Sequence, residues 1–354
     1  MEDLALIKMK NILVTGDQGY IGSALVPLLL NRGYNVTGID TEFFKRTIPS
    51  NYKYPKYRRF NKDIRKVEKK DLKEIDAIIH LSALSNDPMG DIDENLTSEI
   101  NFKSTVRLAE MAKSSNVKRF IFSSSCSIYG IAKKDTVDEK SDINPLTAYA
   151  RSKINSEREL KKMASDKFCV ALPRNSTVYG WAPKFRNDLV VNNLITSALS
   201  FNQIRIMSDG TPWRPLIDVR DLANIFIYFL KADEKKISGE IINVGFNENN
   251  FQVKDLVEEI QKNLEKCDVA YTGEHGKDSR SYKVNFNKFK YLFPDVKQEW
   301  TLSKSIKDMI KRLKEDNFGK TDFESGKFTR LVTLNKLIAD GSLDKNLYWN
   351  KKRN

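Results

Sequence analysis

Apolar positions along the chain fall into short continuous runs separated by amphipathic stretches. Residues 11–15, 35–39 and 76–81 are β-branched or apolar runs and predict buried strands. Residues 21–31 have helical spacing and stand between the first two runs. Further along, 100–114 predicts a helix, 119–124 a strand ending in hydroxyls, 149–164 a helix and 169–172 a strand. A third early strand is expected just before Asp63. Strands alternating with helices in this way argue for a parallel sheet covered on both faces. The fold class expected is α/β: a Rossmann-type doubly wound parallel sheet with a smaller mixed α/β substrate-binding domain.

The second half is less regular. Helices are expected over 189–200, 219–230, 253–264 and 302–313, with strands over 204–207 and 240–244 and a turn at Asp209-Gly210. These divide the chain into a dinucleotide-binding domain over 1–180, rejoined by elements from about 215–245, and a discontinuous second domain over 181–330. A C-terminal extension, 331–354, carries one more apolar-periodic stretch whose target the pattern does not reveal.

Chemistry enters where the first strand meets the first helix. Gly16, Gly19 and Gly22 follow the strand directly, in GxxGxxG spacing. Such a turn admits little side-chain bulk, and the backbone amides of Tyr20, Ile21 and Gly22 at the helix start can face a pyrophosphate. Asp40 closes the second strand eighteen residues beyond Gly22. A carboxylate there accepts hydrogen bonds from both hydroxyls of an adenosine ribose and repels a 2′-phosphate. NAD is therefore favoured over NADP, although Lys45 and Arg46 lie nearby. Asp63 and Ile64 can face adenine, and Leu81-Ser82-Ala83 supplies small residues where a dinucleotide would pass.

Tyr149 and Lys153 stand four residues apart on a predicted helix and so share one face. An ammonium beside a phenol favours phenolate, which can take a proton from a substrate hydroxyl while hydride leaves the same carbon. Lys153 can also reach a nicotinamide ribose. Ser125, at the end of the fifth strand, can hydrogen-bond the reacting oxygen. Its neighbours Ser123 and Ser124 can equally end the strand's hydrogen bonding. Cys126 can line the same pocket but has no histidine partner and is a poor nucleophile. His80, inside an apolar strand, reads as structural.

Composition narrows the remaining classes. The chain has 354 residues, 40% hydrophobic and 30% charged, which fits a globular protein with one large or two smaller domains. Three scattered cysteines, Cys126, Cys169 and Cys267, and only two histidines argue against structural zinc, a disulfide framework or a His-rich metal site. No metal is expected. A reducing, cytoplasmic setting is the simpler expectation. No apolar run is long enough for a membrane span, and residues 1–9 do not resemble a signal peptide. The net charge of +13 raises nucleic acid as a partner. The basic residues are spread along the whole chain, however, and no nucleic-acid partner is expected.

Taken in order, seven stretches carry a resemblance: Thr15 to Gly22, Asp40, Asp63-Ile64, Ser123 to Gly130, PLTAYARSKINSE from Pro145, RNSTVYG from Arg174 and GTPWRPLIDVRD from Gly210. Over roughly 10–315 the chain resembles the extended short-chain dehydrogenase/reductase family, in its nucleotide-sugar epimerase and dehydratase branch. The resemblance implies a tightly bound NAD and a nucleoside-diphosphate sugar. It implies that Asn175 orients the sugar or its phosphates, that Asn193 and Arg214 meet the diphosphate, and that Arg280 meets phosphate or ribose. It also implies a homodimer through a four-helix interface built from 100–114 and 149–164. The shared first step would be oxidation of a sugar hydroxyl, most often at C4. A 4,6-dehydratase of that branch has an Asp-Glu pair just after the catalytic hydroxyl residue, whereas Cys126 and Ser127 stand here. That departure favours an epimerase. A dehydratase or reductase of a deoxysugar or heptose pathway, a decarboxylase, and a non-catalytic NAD-binding regulatory protein remain as alternatives.

Overall fold

The computed structural model describes residues 9–44, 56–85, 87–90, 92–206, 208–264, 267–271 and 280–350. Lys45, Arg46, Met207, Asp278, Ser279 and residues 1–8 lie outside the described residues.

The first half runs β1 (Asn11–Thr15), α1 (Tyr20–Asn31), β2 (Asn35–Asp40), β3 (Tyr57–Asn61), β4 (Ala77–His80), α2 (Asp87–Gly90), α3 (Glu94–Thr97), α4 (Ser104–Ser114), β5 (Arg119–Phe122), β6 (Ser124–Ser125), β7 (Ile131–Val137), α5 (Ala148–Met163), β8 (Cys169–Asn175) and β9 (Thr177–Tyr179). The second half adds α6 (Val190–Phe201), β10 (Gln203–Ile206), β11 (Trp213–Asp218), α7 (Val219–Lys231), α8 (Glu234–Ile237), β12 (Glu240–Val244), β13 (Asn250–Gln252), α9 (Val253–Gln261), β14 (Asp268–Tyr271), β15 (Ser281–Val284), α10 (Asn287–Leu292), α11 (Leu302–Glu315), α12 (Lys320–Glu324) and α13 (Arg330–Ala339).

An eight-stranded sheet in the order β12-β8-β5-β4-β1-β2-β3, with β6 beside β8, forms the centre. Every pairing in it is parallel. Burial on both faces explains why the strands read as continuous apolar runs: Ile12, Leu13 and Val14 are all fully buried. Ile12 and Val14 meet α1 and α7 through Leu25, Leu29 and Phe226. Leu13 faces the other way, toward Leu108 of α4, Leu160 of α5 and Leu334 of α13. The helix α7 belongs to the sheet although it lies late in the chain. Its last carbonyls are satisfied by the buried Arg119 of β5, which donates to Phe229, Leu230 and Ala232.

A second apolar cluster joins α6, α9 and α11 through Ile195, Leu256 and Ile306, and includes Phe185 and Phe328. Beside it, β11 lies between β13 and β9, and β7 pairs with β15. These short strands carry no readable alternation, because pairing across the fold, rather than local pattern, makes them strands. The helix expected over 100–114 opens differently, with a π turn at Ser98–Lys103 before α4. The strand expected over 119–124 breaks at Ser123 into β5 and β6. No helix among the described residues is long and apolar enough to cross a membrane.

Candidate active site

The glycine cradle is required by contacts rather than by sequence habit. Gly16 has φ +75°, and a Cβ on it would lie 2.9 Å from the Ser82 amide nitrogen. A Cβ on Gly22 would lie 2.2 Å from the Gly16 carbonyl oxygen. The backbone turn is therefore pressed between β4's trailing Leu81-Ser82 and the first turn of α1. Gly19 stands at the N-cap and offers no side-chain cap, which leaves first-turn amides for an anion. Tyr20 turns its side chain away, its hydroxyl donating to the Gly180 carbonyl at 2.5 Å. Ile21 packs its side chain into the clusters beside α1.

Asp40 accepts from the amides of Gln18 (3.2 Å) and Glu42 (2.7 Å), which fixes the carboxylate at the end of β2. Burial, and then the nearby Asp17, raise its pKa to about 7. Asp17 was not singled out by the sequence. It is 2% exposed, bonded by the Tyr57 hydroxyl and Gln18, and packed where a Cβ on Gly38 would stand. Asp63 caps a short helical turn and forks to Arg65 at 2.6 Å, and Ile64 is buried beside it. Ala83 follows β4 and is half-buried. These features fit a dinucleotide: a bulk-free turn, uncapped amides, and a ribose-height carboxylate with lone pairs to spare.

At the carboxyl ends of β5, β6 and β8 the second group of residues converges. Tyr149 is half-buried in the first turn of α5, and a Cβ on Gly90 would stand 3.0 Å from its own Cβ. Lys153, one turn on, is 3% exposed and donates to the Ser123 carbonyl at 2.7 Å. Its ammonium stands 5.6 Å from the Tyr149 ring centroid and 4.6 Å from that of Phe122. Burial lowers its pKa to about 7, with Glu157 pulling the other way. Ser125 hydrogen-bonds Ser127 through both side chain and backbone (2.9 and 3.1 Å) and is half-buried. Asn175, in register with Ser125, donates to the Ser123 hydroxyl at 2.8 Å, and its Oδ1 is buried without a partner among the described residues. An orphaned acceptor at the end of a strand is a place for a ligand hydroxyl.

The structure places the remaining expected residues unequally. Cys126 is turned into the core against Ile154 and Tyr282, donates its thiol to the Arg174 carbonyl at 3.2 Å, and does not reach the pocket. Burial pushes its pKa up. Asn193 is half-buried on α6, whereas its neighbour Asn192 braces the Gly180 and Arg186 backbone. Arg214 and Arg280 are brought together, the guanidinium of the first donating to the carbonyl of the second. His80 is clamped between the Thr15 and Thr105 hydroxyls (2.6 and 2.7 Å) and held neutral, its pKa lowered by burial to about 3. Sequence reasoning missed Glu157 as a brace. It forks the buried Arg174 at 2.8 Å and accepts from Ser124. Its signal lay in the last letter of the PLTAYARSKINSE stretch.

The model of the NAD dependent epimerase/dehydratase family matches residues 12–245. A putative UDP-glucose 4-epimerase from Methanocaldococcus jannaschii is 27% identical, over 86% of this chain and 99% of its own. A dTDP-D-glucose 4,6-dehydratase from Homo sapiens is 25% identical, over 87% of this chain and 91% of its own. Among solved structures, a UDP-glucuronic acid 4-epimerase from Bacillus cereus in complex with UDP-glucuronic acid and NAD has a TM-score of 0.73 and 26% identity, covering 86% of this chain and 99% of its own.

Proposed function

This chain belongs to the NAD dependent epimerase/dehydratase family, and from that premise we propose that it is an NAD-dependent nucleotide-sugar 4-epimerase. The relatives at hand are named for nucleotide-sugar chemistry, as epimerases and a dehydratase, and one of them is a complex with NAD. The observation that carries the choice between them is local. The two positions after Ser125 hold a buried thiol and a hydroxyl, Cys126 and Ser127, and no carboxylate. A 4,6-elimination needs an acid and a base at C5 and C6 of the sugar. Burial holds the Cys126 thiol protonated, and Ser127, whose hydroxyl accepts from Ser125, is not a carboxylate acid or base. Inversion at C4 needs neither.

Bound NAD would supply the hydride chemistry of the proposed cycle, oxidation at the sugar's C4 and re-reduction of the keto sugar from its other face. Tyr149 removes the proton of the C4 hydroxyl and later gives it back. Lys153 stabilises the phenolate by its charge and is held in place by the Ser123 carbonyl. Ser125 bonds the C4 oxygen, and the free Oδ1 of Asn175 accepts from a sugar hydroxyl. Gly16, Gly19 and Gly22, with the amides of Tyr20 and Ile21, hold the pyrophosphate of NAD. Asp40 takes the adenosine ribose, and Asp63 and Ile64 face the adenine. Arg214 and Arg280, adjacent in the fold, take the diphosphate of the substrate together with Asn193. The cluster around α6, α9 and α11 is then the substrate domain.

A homodimer through α4 and α5 is part of the same proposal. Phe102, on the π turn leading into α4, and Val106 of α4 stand half-buried, and the particle mass in solution decides the point. The activity is tested by Tyr149→Phe. We expect NAD content and fold to be retained, with turnover reduced about 10²- to 10⁴-fold. A variant as active as the parent would remove Tyr149 from the chemistry.

A further inference from the structure

Residues 319–350 lie outside the family match, and their packing carries an assignment of its own. The segment starts on the second core, where Phe323 meets Phe201 (ring centroids 5.2 Å) and Phe328 meets Phe185 (6.1 Å). It then crosses to the central sheet, burying Leu334, Leu337, Leu343 and Leu347 there. At its end the Trp349 indole donates to the Thr41 carbonyl at 2.7 Å, and its ring lies 5.8 Å from Phe43. The Tyr348 ring lies 3.8 Å from the Arg65 guanidinium, which also donates to the Asn346 carbonyl. Thr41 follows Asp40, and Arg65 forks Asp63. The segment therefore crosses the carboxyl ends of β2 and β3, where the adenosine half of a dinucleotide belongs.

Arg330, the first residue of α13, makes this a binding argument. It is 2% exposed. One terminal nitrogen donates to the Lys184 carbonyl at 3.0 Å, and the guanidinium lies 4.0 Å from the centre of the Phe44 ring. The other terminal nitrogen, Nη1, is buried without a hydrogen-bond partner among the described residues. An unsatisfied charged donor in the interior is costly. Burial, and then the neighbouring Arg186, act against its charge, while Asp188, Asp40 and Tyr20 favour it. Lys184, whose carbonyl it meets, donates its own amide to the Ser23 hydroxyl of α1 at 3.1 Å, which brings Arg330 toward the start of that helix. Lys184 is buried too; burial, then Arg330 and Arg59, act against its charge, while Asp40 and Glu42 favour it. The carboxylate of Asp188 is already forked by Arg186. The buried Nη1 of Arg330 calls for an acceptor, and a dinucleotide pyrophosphate supplies anionic oxygens.

We propose that residues 319–350 form a strap that completes the dinucleotide site, with Arg330 donating to the pyrophosphate and the Tyr348-Trp349 turn closing over the adenosine. The strap retains NAD through successive turnovers, which suits a reaction that regenerates its cofactor. The assignment rests on the reading that the cradle holds NAD. The substrate's diphosphate is the weaker candidate for Arg330, because Asp40 and Phe44 mark the cofactor side.

The test loads the full-length protein with NAD and follows its exchange against isotopically labelled NAD by mass spectrometry. Arg330→Met keeps the volume and removes the charge. We expect release to accelerate about 10- to 100-fold, with Arg330→Lys recovering part of the loss. Trp349→Ala, at a residue 42% exposed, should speed release several-fold and decides the matter if Arg330→Met does not fold. Exchange at the parental rate in both variants overturns the strap alone. Parental exchange with weakened binding of UDP in Arg330→Met also overturns it, moving Arg330 to the substrate. A parent protein that takes up no NAD overturns both the strap and the cradle reading beneath it.

Discussion

As the proposed ribose ligand, Asp40 would link cofactor choice to pH. Its carboxylate must be ionised to accept from two ribose hydroxyls, yet burial and Asp17 raise its pKa to about 7. A raised carboxyl pKa means that the ligand-free protein binds the extra proton below that value. NAD affinity should therefore strengthen as pH rises through about 7, and weaken below it by up to about tenfold per pH unit. Titration calorimetry from about pH 5.5 to 8 reads this directly, and Asp40→Asn should flatten the profile. A pH-independent Kd in the parent would remove Asp40 from ribose binding. Asp40 was legible because a carboxylate closing the second strand after a glycine turn has a known use. Asp17 was not, because its burial depends on Tyr57 and Gly38, which reach it only through the sheet.

At the scale of elements, α5 does two tasks along one face. Its first turns present Tyr149 and Lys153 to the strand ends, and one turn beyond Lys153 it fixes its own position through Glu157. Glu157 and Arg174 are 3% and 4% exposed in their side chains, bonded to each other and to Ser124 and Tyr129. Removing one partner leaves a buried charge, so Glu157→Ala should lose about 3–5 kcal/mol of stability in urea unfolding. A loss below about 1 kcal/mol would mean that the pair is solvated and does not hold α5. The four-residue spacing of Tyr149 and Lys153 was readable as one helix face. The opposing charge on β8 was not, since nothing in the local pattern of 169–175 points to position 157. The same limit explains the broken strand at Ser123: β5 pairs with both β4 and β8, whereas beyond Ser123 the chain pairs with β8 alone.

For the whole molecule, the parallel sheet and its order of elements followed from the alternation of apolar runs and amphipathic helices. The short strands β7, β9, β13 and β15 did not, because each exists only through a distant partner. The chain also passes between its two cores more than once: α7 and β12 return to the central sheet, and α13 does so again from the other face. Such crossings place cofactor, sugar and strap around one set of strand ends. What happens to the sugar there is the central claim. It is tested by incubating the protein with UDP-, GDP-, CDP- and dTDP-sugars in deuterated water and reading the products by NMR. We expect inversion at C4 with no solvent deuterium at C5; a 4-keto-6-deoxy product would contradict the epimerase reading.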